Sequence, residues 1–169
     1  YDNWCLFTSL QVRACIRMFS YLYQKTLLIY LSRLPDLIDV IRVEIDKTSL
    51  PCPICAHADD GNIHVIVMMD SSNEEEVKEA KNLLHFMGVT AIEMGGTCTG
   101  EHGVGVGKMD LMELEMGVGS IETMKRIKRE FDPKNIMNPG KVLHMDKDGA
   151  SSLPPSANDI KLTPSYRLC

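Results

Sequence analysis

The chain has 169 residues, 18 Lys and Arg against 23 Asp and Glu, and a formal charge of −5. That is the length of one ordinary domain, and 44% hydrophobic with 24% charged residues excludes wholesale disorder. The mildly acidic balance excludes a general nucleic-acid binder, which would carry a basic stripe, and the longest apolar runs, such as Leu27 to Leu31, are far too short to cross a bilayer.

Residues 1–29 differ from the rest: they hold two of the four Phe, the only Trp and three of the five Tyr. The chain opens on Tyr1, not Met, which reads as a truncated or spliced start, and no function is assigned to this segment. Pro35 fits the first turn of a helix, with Leu37, Ile38, Ile41 and Ile45 at helical spacing, and Pro51 and Pro53 stop it. Asn62 to Met69 is short and rich in β-branched residues, the pattern of a buried strand. Ser72 and Glu75 form an expected capping box for a helix whose inner face is Val77, Ala80, Leu84 and Met87. Gly88 is expected to close that helix, and Val89 to Met94 to form a second strand. Lys108 to Met116 reads as a short helix. Ser120 is expected to open another, with Ile121, Met124, Ile127 and Phe131 inward, Lys125, Arg126, Lys128 and Arg129 outward, and Asp132-Pro133 at its end. From Lys147 the Ser/Pro-rich tail reads as disordered. The expectation is an α+β domain over 30–146, a sheet with packed helices, flanked by an unassigned segment, 1–29, and a tail, 147–169.

Six cysteines lack the density and the secretory leader of a disulfide framework and read as mostly reduced thiols. Cys52-Pro53-Ile54-Cys55 has no second CxxC to complete four ligands, so two ordinary thiols before a strand is the preferred reading.

Three segments carry candidate chemistry: His57-Ala58-Asp59-Asp60-Gly61-Asn62-Ile63-His64, the glycine-rich stretch 95–108 (GGTCTGEHGVGVGK), and 132–142 (DPKNIMNPGKV). No glycine precedes Gly61, and six of the 12 lie between Gly95 and Gly107, so that stretch demands backbone freedom. It is not a phosphate loop. A Walker A motif needs Gly where His102 stands and Ser or Thr where Met109 stands, and no start within the cluster spaces glycines at i, i+2 and i+5. The glycines read instead as a device for bringing Glu101 and His102 close to a crowded ligand. His57, in the turn before a strand, and His64, within it, flank Asp60-Gly61-Asn62, which can reverse the chain and bring the two rings together. Two imidazoles plus a carboxylate suit Zn²⁺ or Mn²⁺ with positions left for substrate. A metal-dependent hydrolase with Glu101 as base fits less well, because no HExxH-type spacing appears.

Taken in order, these three motifs make the chain resemble the C-terminal substrate (cap) domain of FAD-linked oxidases acting on D-2-hydroxy acids. The likeness is greatest to the mitochondrial, cytochrome-linked D-lactate branch, with D-2-hydroxyglutarate dehydrogenases and glycolate oxidases as relatives. It runs from about Tyr30 to Leu143. The resemblance implies a divalent metal, Zn or Mn, on His57, His64 and Glu101, His102 as the base facing a small 2-hydroxy acid, and Asn138 beside the flavin of FAD. It further implies a mitochondrial address, cytochrome c as acceptor, and a flavin-binding domain with no counterpart in 1–29. The family pattern has Gly where this chain has Asp59, which adds a carboxylate near the proposed metal. A non-catalytic metal-binding or assembly module derived from such an enzyme is the alternative.

Overall fold

The computed structural model describes residues 21–57 and 59–145; the tail reading from Lys147 lies outside them. Among the described residues three strands form one antiparallel sheet: β1 (Tyr21–Leu28), β2 (Ile54–His57) and β3 (Asn62–Met69), in the order β1-β3-β2. Central β3 has the bounds its residue pattern predicts. Edge strand β1 lies inside the segment that carried no assignment.

Side chains alternate across a strand, and that alternation sorts the sheet into a packing face and a polar face. Ile63, Val65 and Val67 pair with Leu27, Lys25 and Tyr23, and face the helices. Helix α1 (Leu34–Ile45) and helix α2 (Glu74–Glu93) cover that face. Pro35 sits in the first turn of α1, as its fixed φ allows. Leu27, Leu37, Ile41, Ile63, Val65, Val67, Met87 and Ala91 are fully buried between the layers, each large aliphatic side chain contributing roughly 1.5–3 kcal/mol. The opposite face carries Gln24, Thr26, Asn62 and His64.

Helix α2 departs from expectation at both ends. Its N-cap is Asn73, one residue past Ser72: the Asn73 side chain accepts from the backbone N–H groups of Glu75 and Glu76 and donates to the Glu76 carboxylate. The Asn73 backbone N–H goes to Asp70 O and the Ser72 hydroxyl to the Asp70 carboxylate, so the reciprocal bond of the expected Ser72–Glu75 box is not made. At the far end Gly88 does not stop the helix, and the stretch 89–94 is not a strand. Buried Ala80, Leu83, Met87, Gly88 and Ala91 keep one helical face running through it, and Thr90 turns its hydroxyl back to the Phe86 carbonyl at 2.9 Å. Gly88 is there for packing: a Cβ would lie 2.4 Å from the Leu111 side chain. The true stop is Gly95 at φ +83, where Gly95 N–H donates to Ile92 O and Gly96 N–H to Ala91 O, a Schellman closure.

After the glycine stretch come a 3₁₀ turn (Met109–Leu111), α3 (Met112–Met116) and α4 (Val118–Phe131). Helix α4 begins at Val118, after Gly117 at φ +76, two residues ahead of Ser120, and ends before Asp132-Pro133 as expected. Its faces are the reverse of the expectation in part: Ile127 is 55% and Phe131 82% exposed, whereas Lys125 is 5% exposed and pairs with Glu122 at 3.1 Å. Among the described residues no helix is long and apolar enough to cross a membrane.

Candidate metal centre

The β2–β3 hairpin positions the two histidines. His57 is the last residue of β2, opposite Asn62, a place in the ladder and not in the turn. Gly61 turns the chain at φ +76, and a Cβ there would fall 2.1 Å from the Ile29 carbonyl oxygen, so only glycine fits. His57 and His64 then share one face, and their ring centroids are 5.1 Å apart, edge to face.

The glycine stretch reaches the same face along the free edge of β1. Thr97 and Leu28 exchange backbone hydrogen bonds of 2.8 and 3.3 Å, and Gly100 N–H donates to Thr26 O at 3.4 Å. Close approach requires glycine twice: a Cβ on Gly96 would meet Leu28 O at 2.4 Å, and one on Gly100 would meet Asn62 Oδ1 at 2.4 Å. These two glycines therefore bring the loop against its own sheet, whereas Gly103, Gly105 and Gly107 stand in open space. The foot of the loop is pinned on both sides. The Glu115 carboxylate accepts the Cys98 N–H at 3.0 Å, and Lys108 Nζ donates to Thr26 Oγ1 at 3.2 Å.

At the centre of this loop Glu101 meets both histidine groups. Glu101 Oε1 lies 3.1 Å from His64 Nε2 and 3.4 Å from His102 Nε2, and the His64 and His102 ring centroids are 5.9 Å apart. Donor atoms of His57, His64 and Glu101 all fall within 4.8 Å of one another. Donors at about 2.1 Å from a tetrahedral zinc stand roughly 3.4 Å apart, so a set spread over as much as 4.8 Å would have to draw in to hold one ion. The donor chemistry fits Zn²⁺ or Mn²⁺. Asp59, exposed in the turn, is not among the converging groups.

Burial shapes the titration here. His64 is 7% exposed, and burial pushes its pKa below the usual 6.5; His57 and His102 push the same way, and Glu101 and Asp60 oppose them. Burial would raise the Glu115 carboxyl, but hydrogen bonds from the Thr97 hydroxyl and from the Cys98 N–H and thiol outweigh it and hold it below 4.5. Burial first, then the Glu115 carboxylate, pushes the Cys98 thiol up to about 12; burial and Glu79 push Cys52 to about 11. Cys52, Cys55 and Cys98 are free, and two such protonated thiols are poor nucleophiles.

Asn138 does not join this cluster. It is exposed at φ +48, on a segment tied to the loop by Val142 N–H donating to Gly105 O at 2.7 Å. Asp132 organises that segment: it pairs with Lys128 and accepts from the Ile136 and Met137 N–H groups at 3.0 and 2.9 Å, and the Lys128 bond foremost holds its carboxyl below the usual value. Sequence reasoning missed Gln24, Asn62, Lys108 and Glu115. Only Asn62, in the turn motif, carried a signal.

Residues 29–142 match the family FAD linked oxidases, C-terminal domain. The chain belongs to this family. It is 53% identical over 113 residues to "D-lactate dehydrogenase [cytochrome], mitochondrial" of Arabidopsis thaliana, covering 67% of this chain and 20% of that protein. A "Probable D-lactate dehydrogenase, mitochondrial" of Danio rerio is 38% identical over 123 residues, 73% of this chain and 25% of that protein. "Glycolate oxidase subunit GlcD" of Bacillus subtilis is 36% identical over 115 residues, 68% and 24% of the two chains. The chain thus spans about a fifth to a quarter of the relatives it matches. As an FAD-linked oxidase C-terminal domain it has the α+β architecture expected from its sequence.

Proposed function

We propose that this chain is the substrate- and metal-binding part of an FAD-dependent dehydrogenase that oxidises D-lactate, or a close D-2-hydroxy acid, to the 2-keto acid. The observation that carries the reading is the convergence of His57, His64 and Glu101 within 4.8 Å with His102 3.4 Å from Glu101. Two of the relatives are named mitochondrial D-lactate dehydrogenases, which supports the substrate class, a mitochondrial location and, from the cytochrome in one name, cytochrome c as acceptor.

Oxidising a 2-hydroxy acid to the 2-keto acid requires loss of the hydroxyl proton and of the Cα hydrogen as hydride, with both electrons of the C–H bond. His57, His64 and Glu101 would hold the divalent ion, whose charge makes a bound hydroxyl easier to deprotonate and orients the acid. His102, on the exposed tip of the loop beside Glu101, would take that proton. Asn138, on the segment returning to the loop, would approach the flavin of FAD, which, when bound, supplies the acceptor for the Cα hydride. Exposed Phe131, Ile136 and Met137 beside that segment are where we place the contact with a flavin-binding domain.

The test replaces the matched C-terminal segment of the Arabidopsis relative with residues 29–142 of this chain. The chimera should oxidise D-lactate, and His102→Ala within it should lower turnover by about 10²- to 10⁴-fold. Undiminished turnover would remove His102 from the mechanism.

A further inference from the structure

We propose that Gln24, on the edge strand, is a positioning residue that sets the tautomer of His64 and so decides whether its Nε2 can bind a metal; the inference rests on the metal reading above. Strand β1 places Gln24 two residues from Thr26, the partner of His64 in the ladder, so its side chain lies on the same face as the imidazole. The Gln24 amide nitrogen is 2.9 Å from His64 Nδ1. On the other side of the ring, Nε2 lies 3.1 Å from Glu101 Oε1 and 3.4 Å from the Asn62 amide nitrogen. His64 is thus gripped at both nitrogens, and a neutral imidazole carries only one proton.

The two grips are coupled. If the Gln24 N–H donates to Nδ1, that nitrogen is the acceptor and the proton sits on Nε2, where it donates to Glu101. This arrangement latches His64 to Glu101 and leaves Nε2 no lone pair for an ion. Turning the Gln24 amide by half a revolution presents its oxygen instead; Nδ1 then carries the proton and donates to Gln24, and the Nε2 lone pair is released toward His57 and Glu101. An amide can serve both states because it is a donor at one atom and an acceptor at the other. A carboxylate at the same position could serve only the metal-binding state, and an apolar residue neither. Partners of this kind, hydrogen-bonded to the free nitrogen of a ligating histidine, typically change metal affinity 10- to 100-fold.

The test uses the full chain with ¹⁵N-labelled histidine, the His64 signals being assigned from the His64→Ala spectrum, and Zn²⁺ as the probe. Long-range ¹H–¹⁵N correlation should show the proton of His64 on Nε2 without zinc and on Nδ1 with it. Gln24→Glu should hold it on Nδ1 in both conditions and keep or raise zinc affinity. Gln24→Met, of similar length without a polar end, should lose about 10- to 100-fold in affinity with an unchanged circular dichroism spectrum. An unaltered affinity in Gln24→Met, or the same metal-free tautomer in the wild type and Gln24→Glu, overturns the proposal. If the wild type takes no zinc, the metal reading fails, and the metal-free tautomers of those two proteins still decide the role of Gln24.

Discussion

The hairpin that carries His57 and His64 and the limb that carries His102 and Asn138 are built on opposite terms. In the hairpin, glycine stands where the fold leaves no room: a Cβ on Gly61 would lie 2.1 Å from a backbone oxygen, and the strand beneath is buried over nearly its whole length. In the limb, Gly103, Gly105 and Gly140 adopt positive φ with nothing within 4 Å of a Cβ, and Ile127, Phe131, Ile136 and Met137 lie in solvent. One region is held by its own packing, and the other is held at a few anchor points: Glu115 on Cys98, Lys108 on Thr26, Val142 on Gly105. A ligand site assembled from both would have one wall built by packing and one set by those few anchors.

Substitutions should separate the two terms. The largest effect is expected from Gly61→Ala, at least about 3 kcal/mol from clash and backbone strain together, against about 1 kcal/mol for Gly103→Ala, where only the left-handed φ matters; urea denaturation of the full chain compares them. Met87→Ala, in the buried layer, should cost about 2–5 kcal/mol, whereas Phe131→Ala should change stability by less than about 0.5 kcal/mol. Equal costs within either pair would erase the distinction. Glu115→Gln should cost about 1–2 kcal/mol, moderated by solvent around a carboxylate only partly buried. Because the Glu115 pKa is held below its unfolded value near 4.5, that stabilisation is present above pH 4.5 and is lost as the pH falls through the lowered folded value. The difference in melting temperature between wild type and Glu115→Gln should therefore be constant from pH 7 to pH 5 and shrink below pH 4.5. A difference that grows on acidification would contradict the role given to Glu115.

What could be read in advance follows the same division. Helix α1 was legible because Leu37 and Ile41 follow its periodicity and are buried accordingly, and strand β3 because it is short and rich in β-branched residues such as Val65 and Val67. Strand β1 was not: Lys25, 5% exposed, occupies a core-facing position and breaks the alternation, while the hydrophilic Gln24 gives no hint that it meets a histidine 40 residues on. Gly88 misled because a glycine that permits close packing and one that ends a helix look alike until the partner, Leu111, is in place. Phe131 and Ile127 misled for the converse reason, since helical spacing shows that a face is apolar and not that anything in this chain covers it. The cluster that the fold brings together was the most legible part, because His57, His64, Glu101 and His102 are chemistry-bearing residues in short motifs. Their anchors, Glu115 and Lys108, are ordinary surface-type residues whose role depends on tertiary placement.

The central claim is that hairpin and loop together make one metal site. Calorimetric titration of the metal-free full chain with Mn²⁺, which thiols bind poorly, tests it directly, run beside His57→Ala, His64→Ala and Glu101→Ala. One ion per chain in the wild type, with affinity reduced about 100-fold or more by each substitution, is the predicted result. No binding by the wild type, or binding that survives all three substitutions, would contradict it.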